Sequence, residues 1–336
     1  MAEFKIVVIG SENDPLEIER AELAGLDVEF EQSDPQSEGE AMEAVRDADA
    51  IMMRGQWGTA QVITATEHCQ VLAVYSHGFN HIDLAACTDK GMILTNGAGM
   101  CAEEVSDQAV AFIMSLYRNI TKANSKMKSG EWDRDGLGPI YPLDEAVLGL
   151  VGLGNIGRAV ARKMSGWRMK TLAYDPYVPP WTMKEYGIEQ VADLNELFAR
   201  SDYVSVQVPL NSETRHMIGT EQFDQMKETA YFINVCRGPV VDEPALITAL
   251  KDGKLRGAGL DVFEQEPVDP DNPLLKMDNV IVAPHIAGSS VRSGVLARYR
   301  TSQQVAAVLR GDWPMAGQNP EVRANIPLRR NAKVTA

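Results

Sequence analysis

Apolar residues gather along this chain in short continuous blocks separated by longer mixed stretches. In the first part the blocks are Phe4 to Ile9, Ala50 to Met53, Val71 to Tyr75 and Met92 to Leu94, with a helix start at Asp14-Pro15 after the first. Such spacing predicts alternation of strand and helix. A helical pattern follows from about Ala102 to Lys128, with Val105, Ala109, Phe112, Ile113, Leu116 and Ile120 three or four residues apart, and Gly130 ends it. The Gly- and Pro-containing segment Glu131 to Leu143 reads as a loop. Six further blocks come next: Val147 to Val151, Thr171 to Tyr174, Tyr203 to Val208, Tyr231 to Val235, Ala258 to Val262 and Val280 to Ala283. Near-continuous apolar strands with room for crossover helices predict a parallel sheet covered on both faces, and six in one domain match a doubly wound α/β fold. A last helical pattern, Val291 to Leu309, leads to a Pro-containing tail.

Composition adds the scale. With 336 residues, 45% hydrophobic and 24% charged, the chain predicts two globular domains rather than one small module. No apolar run reaches the roughly 18 residues of a membrane span, and MAEFKIVVIG has no signal-peptide layout, so a cytoplasmic protein is expected. Cys69, Cys87, Cys101 and Cys236 lack CxxC spacing, which predicts reduced thiols and no structural zinc. The net charge of -15 argues against nucleic acid. Most of that charge is local: between Glu12 and Asp49 stand 14 acidic residues against Arg20 and Arg46, a net of -12. That segment is expected to form an acidic outer face, away from any site for an anion.

Gly152-Leu153-Gly154-Asn155-Ile156-Gly157 follows the block ending at Val151 and opens a helical stretch. In such a turn the first glycine permits the tight bend, the second lets a pyrophosphate approach, and the third allows close packing of helix and strand. Helix-terminal N–H groups then meet the phosphate. Asp175 ends the next block, 18 residues beyond Gly157. Its carboxylate suits ribose hydroxyls and repels a 2′-phosphate, so NAD is favoured over NADP.

Three later blocks end in Asn234-Val235-Cys236-Arg237-Gly238, in Asp261 to Pro267 with Glu266, and in Pro284-His285-Ile286-Ala287-Gly288. Ligands of open α/β sheets bind at the carboxyl ends of strands, where these residues fall. Arg237 offers a two-pronged donor for a carboxylate and an adjacent keto oxygen. His285 can exchange a proton near neutral pH, and Glu266 can orient its imidazole.

Together these segments resemble the D-isomer-specific 2-hydroxyacid dehydrogenase family. The likeness runs from about Asp47 to Leu309 and is carried by GLGNIG, YDP, VPL, NVCRGPVVDE, GAGLDVFEQEP and PHIAG. LEIER, AEEVSD and GPI at residues 138–140 look like the branch with the C-terminal-binding corepressors and their bacterial relatives. The resemblance implies a Rossmann NAD-binding domain, residues 102–289, inserted in a flavodoxin-like substrate domain made of residues 1–101 and 290–336, with closure over a cleft and a homodimer. It also implies that Arg237 binds the substrate, His285 is the acid/base with Glu266 as partner, and Asp261 holds the nicotinamide carboxamide. Val208, Pro209 and Cys236 would line the nicotinamide side. Arg54 and the backbone amides of His77 and Gly78 would meet the substrate.

The chain departs from the family pattern at Ser76-His77-Gly78-Phe79-Asn80-His81-Ile82-Asp83 and at Asn96-Gly97-Ala98-Gly99-Met100-Cys101, the substrate side. Trp57, Met100 and Tyr141 are candidates for an apolar wall or for packing. The expected activity is NAD-dependent interconversion of a D-2-hydroxy acid and its 2-keto acid. Two alternatives stand beside it: a D-3-phosphoglycerate dehydrogenase, for whose phosphate Arg54 is the evident cation, and an NAD-sensing scaffold like the corepressors. Glu266 argues against formate oxidation, for which the family carries Gln.

Overall fold

The computed structural model describes residues 2–10 and 14–324. Met1, residues 11–13 and residues 325–336 lie outside the described residues. They include Glu12 of the acidic run and the ends of the expected substrate domain. The chain folds as two compact units, one of residues up to Met100 with those from Ser290 onward, the other Cys101–Ser289.

The first unit is built on β1 (Phe4–Ile9), β2 (Val28–Ser33), β3 (Ala50–Met53), β4 (Val71–Val74) and β5 (Ile93–Thr95), in the order β2-β1-β3-β4-β5 with parallel pairing. This is the flavodoxin-like order, and its direction of winding reverses between β1 and β3. Strands β3, β4 and β5 are buried along their whole length. Alternate residues of β1, β3 and β4 feed two cores: Val7, Ile51 and Leu72 on one face, Ile6, Met52 and Ala73 on the other. The helix Val291–Leu309 closes the second face through Val305, Ala306 and Leu309.

The second unit carries β6 (Val147–Val151), β7 (Lys170–Tyr174), β8 (Glu189–Gln190), β9 (Tyr203–Val206), β10 (Tyr231–Asn234), β11 (Gly257–Leu260) and β12 (Val280–Val282), in the order β12-β11-β10-β9-β6-β7-β8. All its pairings are parallel. Counted within the unit, the order is that of the doubly wound dinucleotide fold with one strand added, and the reversal falls between β6 and β9. Phe198, Phe223 and Phe232 pack edge-on and tilted at the centre of its core. Removing such a ring costs about 3 to 5 kcal/mol.

Three elements differ from the reading of the sequence. β2 was not expected there, because Val28, Phe30 and Gln32 alternate with exposed Glu29 and Glu31, the pattern of an edge strand rather than an apolar block. β8 has two exposed residues and no apolar signal at all. The expected helix from Ala102 to Lys128 is two helices, Ala102–Tyr117 and Ile120–Lys128. Asn119 between them is left-handed at φ 51°, and its side-chain amide donates to the Leu137 carbonyl. Asn accepts that conformation more readily than most residues.

Candidate active site

The loops after β10, β11 and β12 converge because their backbones touch. Gly238 follows Arg237, and a Cβ on it would stand 1.8 Å from the Phe263 carbonyl oxygen and 2.5 Å from the Glu264 nitrogen. Only glycine lets the Arg237 loop lie against the loop that carries Glu266. The Arg237 guanidinium is half-buried, and its Nη1 donates to the Cys236 carbonyl at 2.6 Å.

His285 Nδ1 lies 2.6 Å from Glu266 Oε2, and Glu266 Oε1 accepts from the Phe263 amide at 3.0 Å. Burial alone would raise the Glu266 pKa, but the hydrogen bonds from His285 and Phe263, with the charges of His285 and Arg237, hold it below its ordinary value of 4.5. Glu266 is therefore a carboxylate at neutral pH. A carboxylate only accepts, so its bond assigns Nδ1 the proton and leaves Nε2 as the nitrogen that can exchange one.

His285 itself is left-handed, at φ 54°. That conformation costs of order 1 to 3 kcal/mol in a residue other than glycine and persists only where neighbours determine it. Here Asp261 does so. Its carbonyl accepts from His285 N at 2.8 Å, and its carboxylate oxygens accept from Ile286 N and Ala287 N, both at 2.9 Å. Asp261 has no exposed surface, and burial raises its pKa against the lowering effect of the two amides. The nicotinamide role implied by resemblance is thus joined by a visible one, holding the His285 loop.

The glycine turn fits a dinucleotide. Gly152 sits at φ 94°, and a Cβ there would meet the Gln207 carbonyl oxygen at 2.8 Å; one on Gly157 would meet the Gly152 oxygen at 2.3 Å. A Cβ on Gly154 would meet nothing within 4 Å, so the open side of the turn is there. The helix Asn155–Met164 starts at Gly154 with no side-chain cap, leaving its first N–H groups to a phosphate. Asn155 is exposed and Ile156 half-buried at that start. Gln207 Oε1 is a buried acceptor near Gly157 with no hydrogen-bond partner among the described residues. Asp175 accepts from Leu153 N at 2.8 Å, Tyr177 N at 2.9 Å and Val178 N at 3.2 Å, which fixes its carboxylate beside the turn. Val208 packs on the core beside Gly152, and Pro209 is exposed. Cys236 is buried, its thiol donates to Asn234 Oδ1 at 3.1 Å, and burial pushes that thiol up to about 11.

Arg54, His77 and Gly78 belong to the first unit, after β3 and β4. The Ser76, His77 and Gly78 carbonyls are all engaged, by Gly97 N, Asn96 Nδ2 and Ser76 Oγ, which fixes the loop and so the direction of its amides. Arg54 stacks over the Tyr75 ring at 4.6 Å and is paired through Nη1 with Asp14. The acidic run is therefore not wholly an outer face: Asp14 reaches a residue expected at the substrate. Glu19 is fully buried, bound by Arg298 through Nε at 2.8 Å and Nη2 at 2.5 Å, and by the Tyr75 hydroxyl at 3.1 Å. Glu17, Asp27, Glu29, Glu31, Asp34, Glu40, Glu43 and Asp47 are exposed, whereas Glu22, Glu38 and Asp49 are half-buried. Trp57 packs on the core of the first unit, whereas Tyr141 is exposed on the second.

One pairing near the site was missed in the sequence. His216 Nε2 lies 2.6 Å from Glu264 Oε1, and Glu243 Oε2 accepts from the Glu264 amide at 2.9 Å, tying three loops together two residues from Glu266. His216 carries no motif of its own, though His beside a turn in an α/β loop is a signal worth pairing with nearby acids.

Comparison with known proteins gives concordant results. Residues 110–287 match the model for the D-isomer specific 2-hydroxyacid dehydrogenase, NAD binding domain. The chain is 38% identical to a glyoxylate reductase of Thermofilum pendens, over 88% of either chain. It is also 38% identical to a D-3-phosphoglycerate dehydrogenase of Methanocaldococcus jannaschii, over 88% of this chain and 56% of that one. Among solved structures, the holo form of Rhodotorula graminis D-mandelate dehydrogenase superposes with a TM-score of 0.85 at 29% identity, covering 94% of this chain and 98% of that one.

Proposed function

The chain belongs to the D-isomer-specific 2-hydroxyacid dehydrogenase family, and on that premise we propose that it reduces small 2-keto acids of the glyoxylate and hydroxypyruvate type with NADH. Interconversion of a D-2-hydroxy acid and its 2-keto acid, with NAD as cofactor, is the activity of the family. The observation that carries the residue assignment is the 2.6 Å contact of His285 Nδ1 with Glu266 beside Arg237.

When bound in the glycine turn, NADH would supply the hydride for C2 of the keto acid. The chain supplies the rest. Arg237 holds the substrate carboxylate and directs a second N–H at the keto oxygen, so the charge that grows on that oxygen meets a cation already in place. His285, protonated on both nitrogens, gives its Nε2 proton to the same oxygen, and the product is the neutral hydroxyl. Glu266 holds Nδ1 throughout. In the oxidative direction neutral His285 takes that proton back. Gly152, Gly154, Asn155, Ile156, Gly157 and Asp175 bind the dinucleotide, with Val208, Pro209, Cys236 and the Asp261-held loop on the nicotinamide side. Arg54 and the amides of His77 and Gly78 are proposed as substrate-binding groups of the first unit.

The test is NADH oxidation followed at its absorbance band with glyoxylate and hydroxypyruvate. Turnover with NADH, at least about tenfold better than with NADPH because Asp175 repels a 2′-phosphate, is expected. Failure to turn over either acid overturns the substrate assignment.

We further propose a cytoplasmic homodimer. Four cysteines, all buried as free thiols, support the compartment. Ile120, Met127, Trp132, Ile140 and Tyr141 are exposed within one stretch of the second unit, more large apolar surface than a monomer usually leaves in one segment. Light scattering should give twice the mass of one chain; the mass of one chain refutes the dimer.

A further inference from the structure

Arg237 stands in the loop after β10 and Glu266 in the loop after β11, and one residue of the second unit is bonded to both loops. His216, from the loop after β9, donates through its backbone N to the Pro239 carbonyl at 2.9 Å, two residues beyond Arg237. Its Nε2 lies 2.6 Å from Glu264 Oε1, two residues before Glu266. The carboxylate of Glu264 accepts, so Nε2 holds the proton of that bond. Glu264 Oε2 accepts from Glu243 N at 3.4 Å, the Glu264 amide donates to Glu243 Oε2 at 2.9 Å, and Asn272 Nδ2 donates to Glu243 Oε1 at 2.7 Å. Phe263, the residue before Glu264, gives its amide to Glu266 Oε1. The turn that aims Glu266 at His285 is therefore gripped at Glu264 from two sides.

His216 makes these bonds from an unfavourable conformation. Its φ is 52°, and among the described residues it shares a positive φ with Asn119, Arg168 and His285 as the non-glycine cases. The start of its loop is closed without it: Asn211 Oδ1 accepts from Glu213 N at 2.9 Å and Thr214 N at 3.0 Å, and Thr214 Oγ1 donates to the Pro209 carbonyl at 2.6 Å. Beyond it, Ile218 N donates to the Val240 carbonyl at 3.3 Å and Asp242 N to the Ile218 carbonyl at 2.9 Å, which lays the chain along the segment that follows Arg237. The His216 side chain is 43% exposed and that of Glu264 32%, and a pair so open to water adds little to stability. Backbone strain that stability does not explain points to function.

We propose that His216 is a positioning residue for the reduction: by joining the Pro239 carbonyl to Glu264 it fixes the Arg237 loop against the Glu266 turn, and so the guanidinium against the His285 imidazole. This rests on the reduction proposed above, in which both groups act on one keto oxygen. His216 acts through Glu264 and Pro239, so its loss should cost kcat and leave KM and NADH binding nearly unchanged.

Asn and Gln separate this role from a structural one. Asn accepts the left-handed conformation but is one bond too short to reach the place of Nε2, whereas Gln carries its amide nitrogen there. In full-length protein with glyoxylate and NADH, His216→Asn should lower kcat about tenfold, the scale of a misplacement well under an ångström, with KM and NADH affinity by fluorescence within about twofold of wild type. Its Tm should equal or exceed that of wild type. His216→Gln should restore most of the lost kcat. Glu264→Ala should reproduce the loss, and joining it to His216→Asn should add nothing further. A His216→Asn enzyme with wild-type kcat, a Gln variant no better than Asn, or losses of His216→Asn and Glu264→Ala that multiply overturns the inference. A loss of kcat in His216→Asn matched by a falling Tm overturns it too, since that marks a structural role. If thermal melts show that Glu264→Ala has lost its fold, the Asn and Gln variants decide alone. A wild type inactive on both glyoxylate and hydroxypyruvate sinks the proposed reduction itself, a result separable from an active enzyme whose kcat does not respond.

Discussion

Arg237→Ala should lower kcat/KM for keto-acid reduction by about a thousandfold, ~4 kcal/mol of transition-state stabilisation. Two contributions are lost together: the charge-assisted bonds to the carboxylate, which act on ground state and transition state alike, and the donor to the keto oxygen, which strengthens as charge develops there. The first raises KM and the second lowers kcat, so both parameters should change. Arg237→Lys should recover part of KM and little of kcat, because an ammonium restores charge without the fixed fork. Affinity for NADH, measured by fluorescence, should move far less, since the turn at Gly152 and Asp175 is built without Arg237. An Arg237→Ala enzyme within tenfold of wild type on both parameters would remove Arg237 from the reaction.

Much of this site was legible because its chemistry is written in glycine. Gly152 and Gly157 are required by backbone atoms less than 3 Å from where a Cβ would stand, and Gly238 by the loop of Phe263 and Glu264. Such positions leave a spaced signature in the sequence. The buried parallel strands were readable for a similar reason: both faces are apolar, so β3, β4, β6 and β10 appear as unbroken blocks. What was not legible depends on long-range partners. Asp14 pairs with a residue 40 positions away, and Glu19 with Arg298 at a separation of 279, so a count of charge along residues 12 to 49 places both on the surface. Likewise nothing local marks β2, whose pairing with β1 is decided by register rather than by apolar content.

Asp261 shows how the two kinds of information meet. The family resemblance implies for it a contact to cofactor, a direct role. The structure adds an indirect one: through its carbonyl and both carboxylate oxygens it fixes three consecutive amides and holds His285 in a conformation that the residue disfavours alone. The geometry of His285, the proposed proton donor, is therefore set from within the core of the second unit, and Glu266 orients the ring.

That division of labour gives the second large effect its form. His285→Ala should cut turnover by about 10² to 10⁴, the usual contribution of a placed acid/base. Glu266→Gln should act through the placement of the ring and through the pH dependence of stability. Glu266 is held below 4.5 because bonds from His285 and Phe263, with the charges of His285 and Arg237, outweigh burial, so it is anionic at neutral pH. With Gln in its place Nδ1 loses a charged acceptor at 2.6 Å, and kcat for reduction should fall by about tenfold while affinity for NADH stays as it was. The sign for stability is also fixed: a carboxylate whose folded pKa is lowered stabilises the fold above its unfolded pKa and loses that effect as pH falls through the folded value. The Tm difference between wild type and Glu266→Gln should therefore be present at neutral pH and shrink on acidification below about 4.5. A Glu266→Gln enzyme with wild-type kcat would remove Glu266 from the orientation of His285, and a Tm difference that does not shrink on acidification would remove its charge from the stability of the fold.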